Sequence, residues 1–103
     1  MAIQVFDIES VQKFSADEVK PIMLHQSDGL MTLLLCLDAG QKLGPCSMTS
    51  RVLYLVLSGQ GQLRVAGEQE QLLNANSFVV VPAGVERTLS AKERSRVIAI
   101  QVP

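Results

Sequence analysis

Two stretches of the chain are apolar at nearly every position rather than at alternate ones. Residues 51–57 read RVLYLVL and residues 78–81 read FVVV. Strands of an antiparallel sheet with one wet face alternate apolar and polar side chains. Here Val52, Tyr54 and Val56 point one way while Leu53, Leu55 and Leu57 point the other. Residues 30–37 repeat the pattern, with Leu33, Leu35 and Leu37 opposed to Leu34 and Cys36. Such strands are expected to be buried twice, by a barrel interior and by a cover outside it. A large exposed apolar patch marks an interface, and the cover expected here is a second copy of the chain. The pattern thus predicts a homodimer joined through one sheet.

The rest of the chain supplies short strands and turn chemistry. Residues 2–8 alternate loosely and read as a strand, and residues 9–19 hold too few apolar anchors for a stable helix, so an irregular connection is expected. Residues 20–26 and 30–38 read as a hairpin around Ser27-Asp28-Gly29. A Gly/Pro-containing loop is expected over 40–50. Further strands are expected at 51–57, 62–66, 70–73, 78–81, 87–91 and 97–102, parted by turns at Gly59-Gln60-Gly61, Gly67-Glu68, Asn74-Ala75-Asn76 and Pro82-Ala83-Gly84. Nine short strands with closely spaced turns and no convincing helix define an all-β sandwich or barrel.

Composition narrows the functions. The 103 residues make one domain, 1–103, large enough to bury a core without staples. No apolar run nears the roughly 18 residues of a membrane span. The start MAIQVFDIES has no signal-peptide pattern, so a cytoplasmic protein is expected. Two cysteines, Cys36 and Cys46, are no disulfide framework, and free thiols are expected. A net charge of −1 and four scattered aromatics offer neither an electrostatic footprint nor a stacking platform for nucleic acid. The one basic cluster, residues 92–96, reads as a solvated turn between strands.

Two units carry a more specific signal. In the first, residues 40–59, Gly40 is followed after five residues by Cys46, after one by Met48, after three by Val52 and after six by Gly59. In the second, residues 76–91, Asn76 is followed after five residues by Pro82-Ala83-Gly84 and after two by Arg87. These spacings resemble the two motifs of the cupin superfamily, and the resemblance covers roughly residues 30–103, with residues 1–29 as an N-terminal strand and connection. It implies a jelly-roll or double-stranded β-helix barrel in a small single-domain cupin, commonly a dimer.

The resemblance also implies what the site lacks. Metal-binding cupins hold histidine, histidine and glutamate in the first motif and histidine in the second. Those positions hold Cys46, Met48, Val52 and Arg87 here, His25 is the only histidine, and no Asp or Glu occurs between Asp38 and Glu68. An iron, manganese or nickel site needs several imidazole and carboxylate donors, and a guanidinium repels a cation. No resident metal is therefore expected.

Candidate ligand-binding residues are Arg87, Tyr54, Cys46, Met48, Val52 and His25. Arg87 suits a carboxylate or phosphate through its bidentate fork; the alternative pairs it with Glu86 or another carboxylate, or turns it into solvent. Cys46 and Met48, with His25, are soft enough for copper or a similar ion, or they fill the space of missing imidazoles. His25 and Tyr54 are also a candidate acid–base pair. Three readings stay open: a metal-free module binding a small, anionic organic molecule; an enzyme, cofactor-free or using a soft metal, such as an isomerase, epimerase or oxygenase; and a dimer with no ligand and a lumen packed shut.

Overall fold

The computed structural model describes residues 3–102. A single helical turn, α1 (Ile8–Val11), precedes nine strands: β1 (Ile22–Ser27), β2 (Leu30–Leu37), β3 (Lys42–Cys46), β4 (Arg51–Ser58), β5 (Gln60–Val65), β6 (Gln71–Asn74), β7 (Phe78–Val81), β8 (Arg87–Ala91) and β9 (Ser95–Val102). They form a five-stranded sheet in the order β1-β2-β9-β4-β7 and a four-stranded sheet in the order β3-β8-β5-β6. Every pairing is antiparallel.

Register decides which side chains face inward. Across the five-stranded sheet Leu33 lies beside Ala99, Ala99 beside Tyr54, and Tyr54 beside Val79. Residues in register share a face, so these four point together. They join the interior cluster with Leu35, Val52, Val56 and Val97, which meets Leu63, Leu73, Leu89 and Ala91 from the other sheet. Two inner faces packed this way are a sandwich closed into a barrel. Between Leu37, Val56, Leu73, Leu89 and Val97 only about 10 Å³ remains, at the bottom of the range that holds a water. This half of the lumen is packed shut.

The N-terminal segment departs from expectation. Residues 3–7 join no strand, and Ala2 lies outside the described residues. Asp7 caps α1 instead: its side chain accepts from the Glu9 amide at 3.2 Å and from the Ser10 hydroxyl at 3.0 Å. These local bonds satisfy donors at the helix start and turn the chain out of an extended path. The remainder of the 9–19 connection is irregular, as expected.

This segment is pinned by polar contacts from the loops. The Gln41 amide donates to the Ser15 carbonyl at 2.6 Å, and Arg96 Nη1 donates to Gln12 Oε1 at 3.2 Å. Arg94 stacks over the Phe14 ring at 3.7 Å and pairs with Asp38 at 2.9 Å. Of the basic cluster, residues 92–94 form the expected turn while Ser95 and Arg96 already belong to β9, and Arg94 and Arg96 brace the N-terminal segment rather than only facing water. Val19 completes the segment by entering the core.

A second departure lies within the expected 40–50 loop, where Lys42–Cys46 is the strand β3. Gly44 and Pro45 read as breakers in sequence. The strand is an edge pairing only with β8, and its ladder is irregular between Leu43 and Cys46, which is where proline is tolerated. Gly44 has φ +109°, and a Cβ there would meet the Arg87 carbonyl oxygen at 2.6 Å. Glycine is what lets β3 lie this close to β8. β5 and β9 likewise begin two residues earlier than read, at Gln60 and Ser95.

The turn between β4 and β5 depends on Gly59, at φ +90°, where a Cβ would collide with the Arg94 carbonyl and the Ser95 hydroxyl. Gly67 also has positive φ, +77°, but faces open space. Gly67→Ala is expected to lose about 1 kcal/mol from left-handed backbone strain alone. Gly59→Ala adds backbone displacement and is expected to lose more than about 2 kcal/mol. Urea denaturation of the two variants measures the difference, and equal losses would refute the close approach.

Candidate functional site

The open half of the lumen is a cavity of about 420 Å³, walled mainly by apolar side chains from both sheets. Leu33, Leu35, Val52, Tyr54 and Ala99 reach it from the five-stranded sheet, and β3 supplies Leu43 to Cys46. Its size is that of ordinary small-molecule sites.

Arg87 is the one charge in this wall. Along β8 the side chains of Arg87, Leu89 and Ala91 alternate inward while Thr88 and Ser90 face out. The guanidinium is therefore carried inside by the same period that buries Leu89, and Arg87 is only 5% exposed. Its Nε donates to Tyr54 Oη at 3.2 Å, and its Nη1 donates to the Cys46 carbonyl at 3.5 Å. No carboxylate pairs with it among the described residues, whose ion pairs are Arg64–Glu70 and Arg94–Asp38. Glu86, the neighbour weighed as a partner, is exposed and one residue out of phase.

The hydrogen bond to Tyr54 has a second consequence. Tyr54 Oη accepts from Arg87, so the phenol's own proton is directed elsewhere, and no described residue accepts it. Arg87 Nη2 also has no protein acceptor among the described residues. Two donors, one cationic and one neutral, are thus held side by side at the cavity wall with capacity to spare.

Five of the six residues singled out in sequence line this cavity: Arg87, Tyr54, Cys46, Met48 and Val52. His25 does not join them. Its register partner is Thr32, which continues through Ile100 and Leu53, the outer face of the sheet. There His25 is exposed and shares a 2.7 Å hydrogen bond with Ser27. The sheet therefore separates His25 from Tyr54, from Cys46 and from Met48, and neither the acid–base pair nor a three-ligand soft-metal set is assembled. Cys36 faces the same outer side as Leu34 and is buried, while Cys46 is exposed, and both thiols are free.

Gln101 was missed. It lines the cavity, in register with Val52. The signal was available, because Gln101 falls on the period-two face of Val97 and Ala99, and a polar side chain there interrupts an apolar series.

The donor set does not fit the metal of the first-motif and second-motif positions. Val52 has no donor atom, and Arg87 places a permanent cation where a ligand would stand. No three His, Cys, Asp or Glu side chains converge among the described residues.

No family model and no curated protein matches the sequence. Solved structures do. An RmlC-like cupin protein from Desulfovibrio desulfuricans superposes with a TM-score of 0.90 at 17% identity, covering 99% of this chain and 98% of that one. An uncharacterized conserved protein with a double-stranded β-helix domain from Klebsiella pneumoniae gives 0.90 at 12% identity, over 99% and 91%. The DMSP lyase of Ruegeria pomeroyi gives 0.76 at 17% identity, over 84% of this chain and 48% of that one. The architecture is a double-stranded β-helix. It is the cupin fold, as the motif spacing implied.

Two outcomes are expected. Tyr54→Phe removes the acceptor of a buried charged donor and should lower stability by about 1–3 kcal/mol in urea denaturation; an unchanged midpoint would mean the bond contributes nothing. Elemental analysis of untagged protein should give far less than one metal per chain. Stoichiometric copper or zinc lost in Cys46→Ala would make Cys46 and Met48 ligands.

Proposed function

We propose that the protein is a binding module for a small anionic organic molecule, held in the barrel mouth by Arg87 and Tyr54. The observation that carries this reading is an arginine only 5% exposed with no carboxylate paired to it among the described residues. A buried charge is costly unless it is paired, and two neutral acceptors offset only part of that cost. An anionic ligand supplies the missing counter-charge. A carboxylate is the best-matched group: one oxygen accepts from Arg87 Nη2 and the other from the Tyr54 hydroxyl, while the ligand's apolar part lies against Val52, Leu33 and Met48. Gln101 is placed to add a neutral hydrogen bond.

Binding is favoured over catalysis by what the cavity wall omits. It contains no histidine, aspartate or glutamate among the described residues, so the usual proton-transfer groups are missing beside the two donors. A cavity of about 420 Å³ also speaks against a lumen packed shut.

The test is a panel of small carboxylates, with inorganic phosphate as a separate arm, screened by thermal unfolding. A carboxylate present at 100 times its Kd should add about 2.7 kcal/mol. Arg87→Met should abolish that gain. In the ligand-free protein the same substitution should be neutral or stabilising, because a buried unpaired charge gives way to a methionine of similar reach. No response to any anion, or an equal response in Arg87→Met, would overturn the reading.

A further inference from the structure

Gln101 is the third strongly polar side chain of the cavity wall, and it stands apart from the other two. We infer that the ligand is a monocarboxylate with no amino group and with a neutral hydroxyl or amide at its far end, and that Gln101 reads that far end. This inference rests on the carboxylate reading above and deepens it, by naming what the rest of the ligand carries and what it lacks.

The place of the amide is the first observation. β9 is the central strand of its sheet, and Gln101 pairs with Met31 on one side and with Val52 on the other. A residue held between two ladders is positioned by the sheet and not by a loop. Ala99, two residues earlier on the same face, is the register partner of Tyr54. Gln101 therefore lies one strand across from Tyr54 and two residues farther from the packed half of the lumen. At about 3.4 Å per residue and 4.8 Å per strand, their Cα atoms stand about 8 Å apart. The wall thus has two polar stations, Arg87 with Tyr54 at one and Gln101 at the other. Apart from the Cys46 thiol, the side chains around them are apolar.

The bonding of the amide is the second observation. The side-chain amides of Gln12, Gln41 and Gln60 are all bonded to other groups of the chain. Gln101 is half-buried, and its amide has no such partner among the described residues. An amide offers a donor and an acceptor together. A hydroxyl or a second amide answers both at once. A carboxylate answers only the donor, and a methyl group answers neither and leaves a desolvated amide unpaired.

Charge is the third observation. Among the described residues the wall holds one cation, Arg87, with no lysine, second arginine, aspartate or glutamate. One guanidinium neutralises one carboxylate. A second carboxylate on the ligand would enter the cavity without a counter-charge, and an ammonium would face Arg87 with no anionic group to meet it. Dicarboxylates and amino acids are thereby disfavoured by charge, and plain alkanoates by the amide they leave unpaired. Hydroxy acids and amide acids of a few carbons are the class that answers both stations.

Calorimetric titration of the full chain with valerate, δ-hydroxyvalerate, glutarate and δ-aminovalerate separates these demands, because all four share one carboxylate and one chain length. The hydroxy acid should bind about three- to tenfold more tightly than valerate, the worth of one net hydrogen bond. Glutarate and δ-aminovalerate should both bind more weakly than valerate. Gln101→Leu should erase the preference for the hydroxy acid and leave the affinity for valerate no weaker. Gln101→Lys, which supplies a second cation, should turn the preference toward glutarate. Arg87→Met should abolish binding of all four. If valerate binds through Arg87 but the hydroxyl adds nothing, or adds as much in Gln101→Leu, the carboxylate reading stands and this inference falls. It falls equally if glutarate or δ-aminovalerate matches the hydroxy acid in the unsubstituted protein, or if Gln101→Lys leaves the order of the four unchanged. If none of the four binds, both fall together.

Discussion

The Arg87–Tyr54 hydrogen bond joins the two sheets across the lumen. Arg87 belongs to the four-stranded sheet and Tyr54 to the five-stranded one, so the bond spans the sandwich at the level where apolar packing gives way to a cavity. Below it Val56, Leu63, Leu89 and Val97 fill the barrel. Beyond it the walls stand apart. A guanidinium suits this place because its stem packs with the aliphatic wall while its planar head bonds in several directions. The third contact, to the Cys46 carbonyl, ties in β3. One side chain thereby fixes the relative placement of three strands that form the rim.

That arrangement depends on close approaches that only particular residues allow. Gly44 brings β3 against the backbone of Arg87, and without it the Cys46 carbonyl would withdraw from the guanidinium. Gly59 lets the β4–β5 turn sit against Arg94 and Ser95. That turn sets β5 beside β8, and β8 carries Arg87. Asn76, at φ +73°, performs a similar service before β7, asparagine being among the few residues that accept this conformation. The glycines and the asparagine of the two sequence units are therefore not incidental spacing. They are the positions where the backbone must turn or touch to carry Tyr54 and Arg87 to the same point.

This explains how much could be read in the chain before its structure was known. Strand existence followed from period-two patterning and turn chemistry, and so did the inward set Val52, Tyr54 and Val56. The spacing to Pro82-Ala83-Gly84 put Arg87 at the second motif position but left open whether its side chain entered the barrel, paired with a carboxylate or turned into solvent. β3 was hidden because a local reading treats Gly44 and Pro45 as breakers, whereas an edge strand with an irregular ladder accommodates both. The 2–8 strand failed because weak alternation carries no information about a partner, and within this chain residues 3–7 have none. His25 could not be placed, because the ladder of β1 shifts between Met23 and His25, and one residue of shift exchanges the faces of a strand. The partner of Arg87 was also out of reach, since Tyr54 lies 33 residues away in sequence and meets it only through the closure of the sandwich.

The residues at the four motif positions, Cys46, Met48, Val52 and Arg87, set the character of the cavity wall together. Replacing donors by Cys46, Met48 and Val52 alone would leave a greasy pocket, open to any apolar guest. Replacing one by arginine alone would leave a cation among imidazoles and a carboxylate, where the carboxylate would neutralise it. With Val52 rather than an acidic residue beside it, Arg87 has no ion-pair partner among the described residues, and Tyr54 orients its charge without cancelling it. The cavity wall thus carries a fixed cation and no carboxylate among the described residues. Under the proposed function, such a barrel discriminates by ligand charge first and by shape second, since desolvating a neutral guest there gains nothing from the guanidinium, whereas an anion recovers its lost hydration from it.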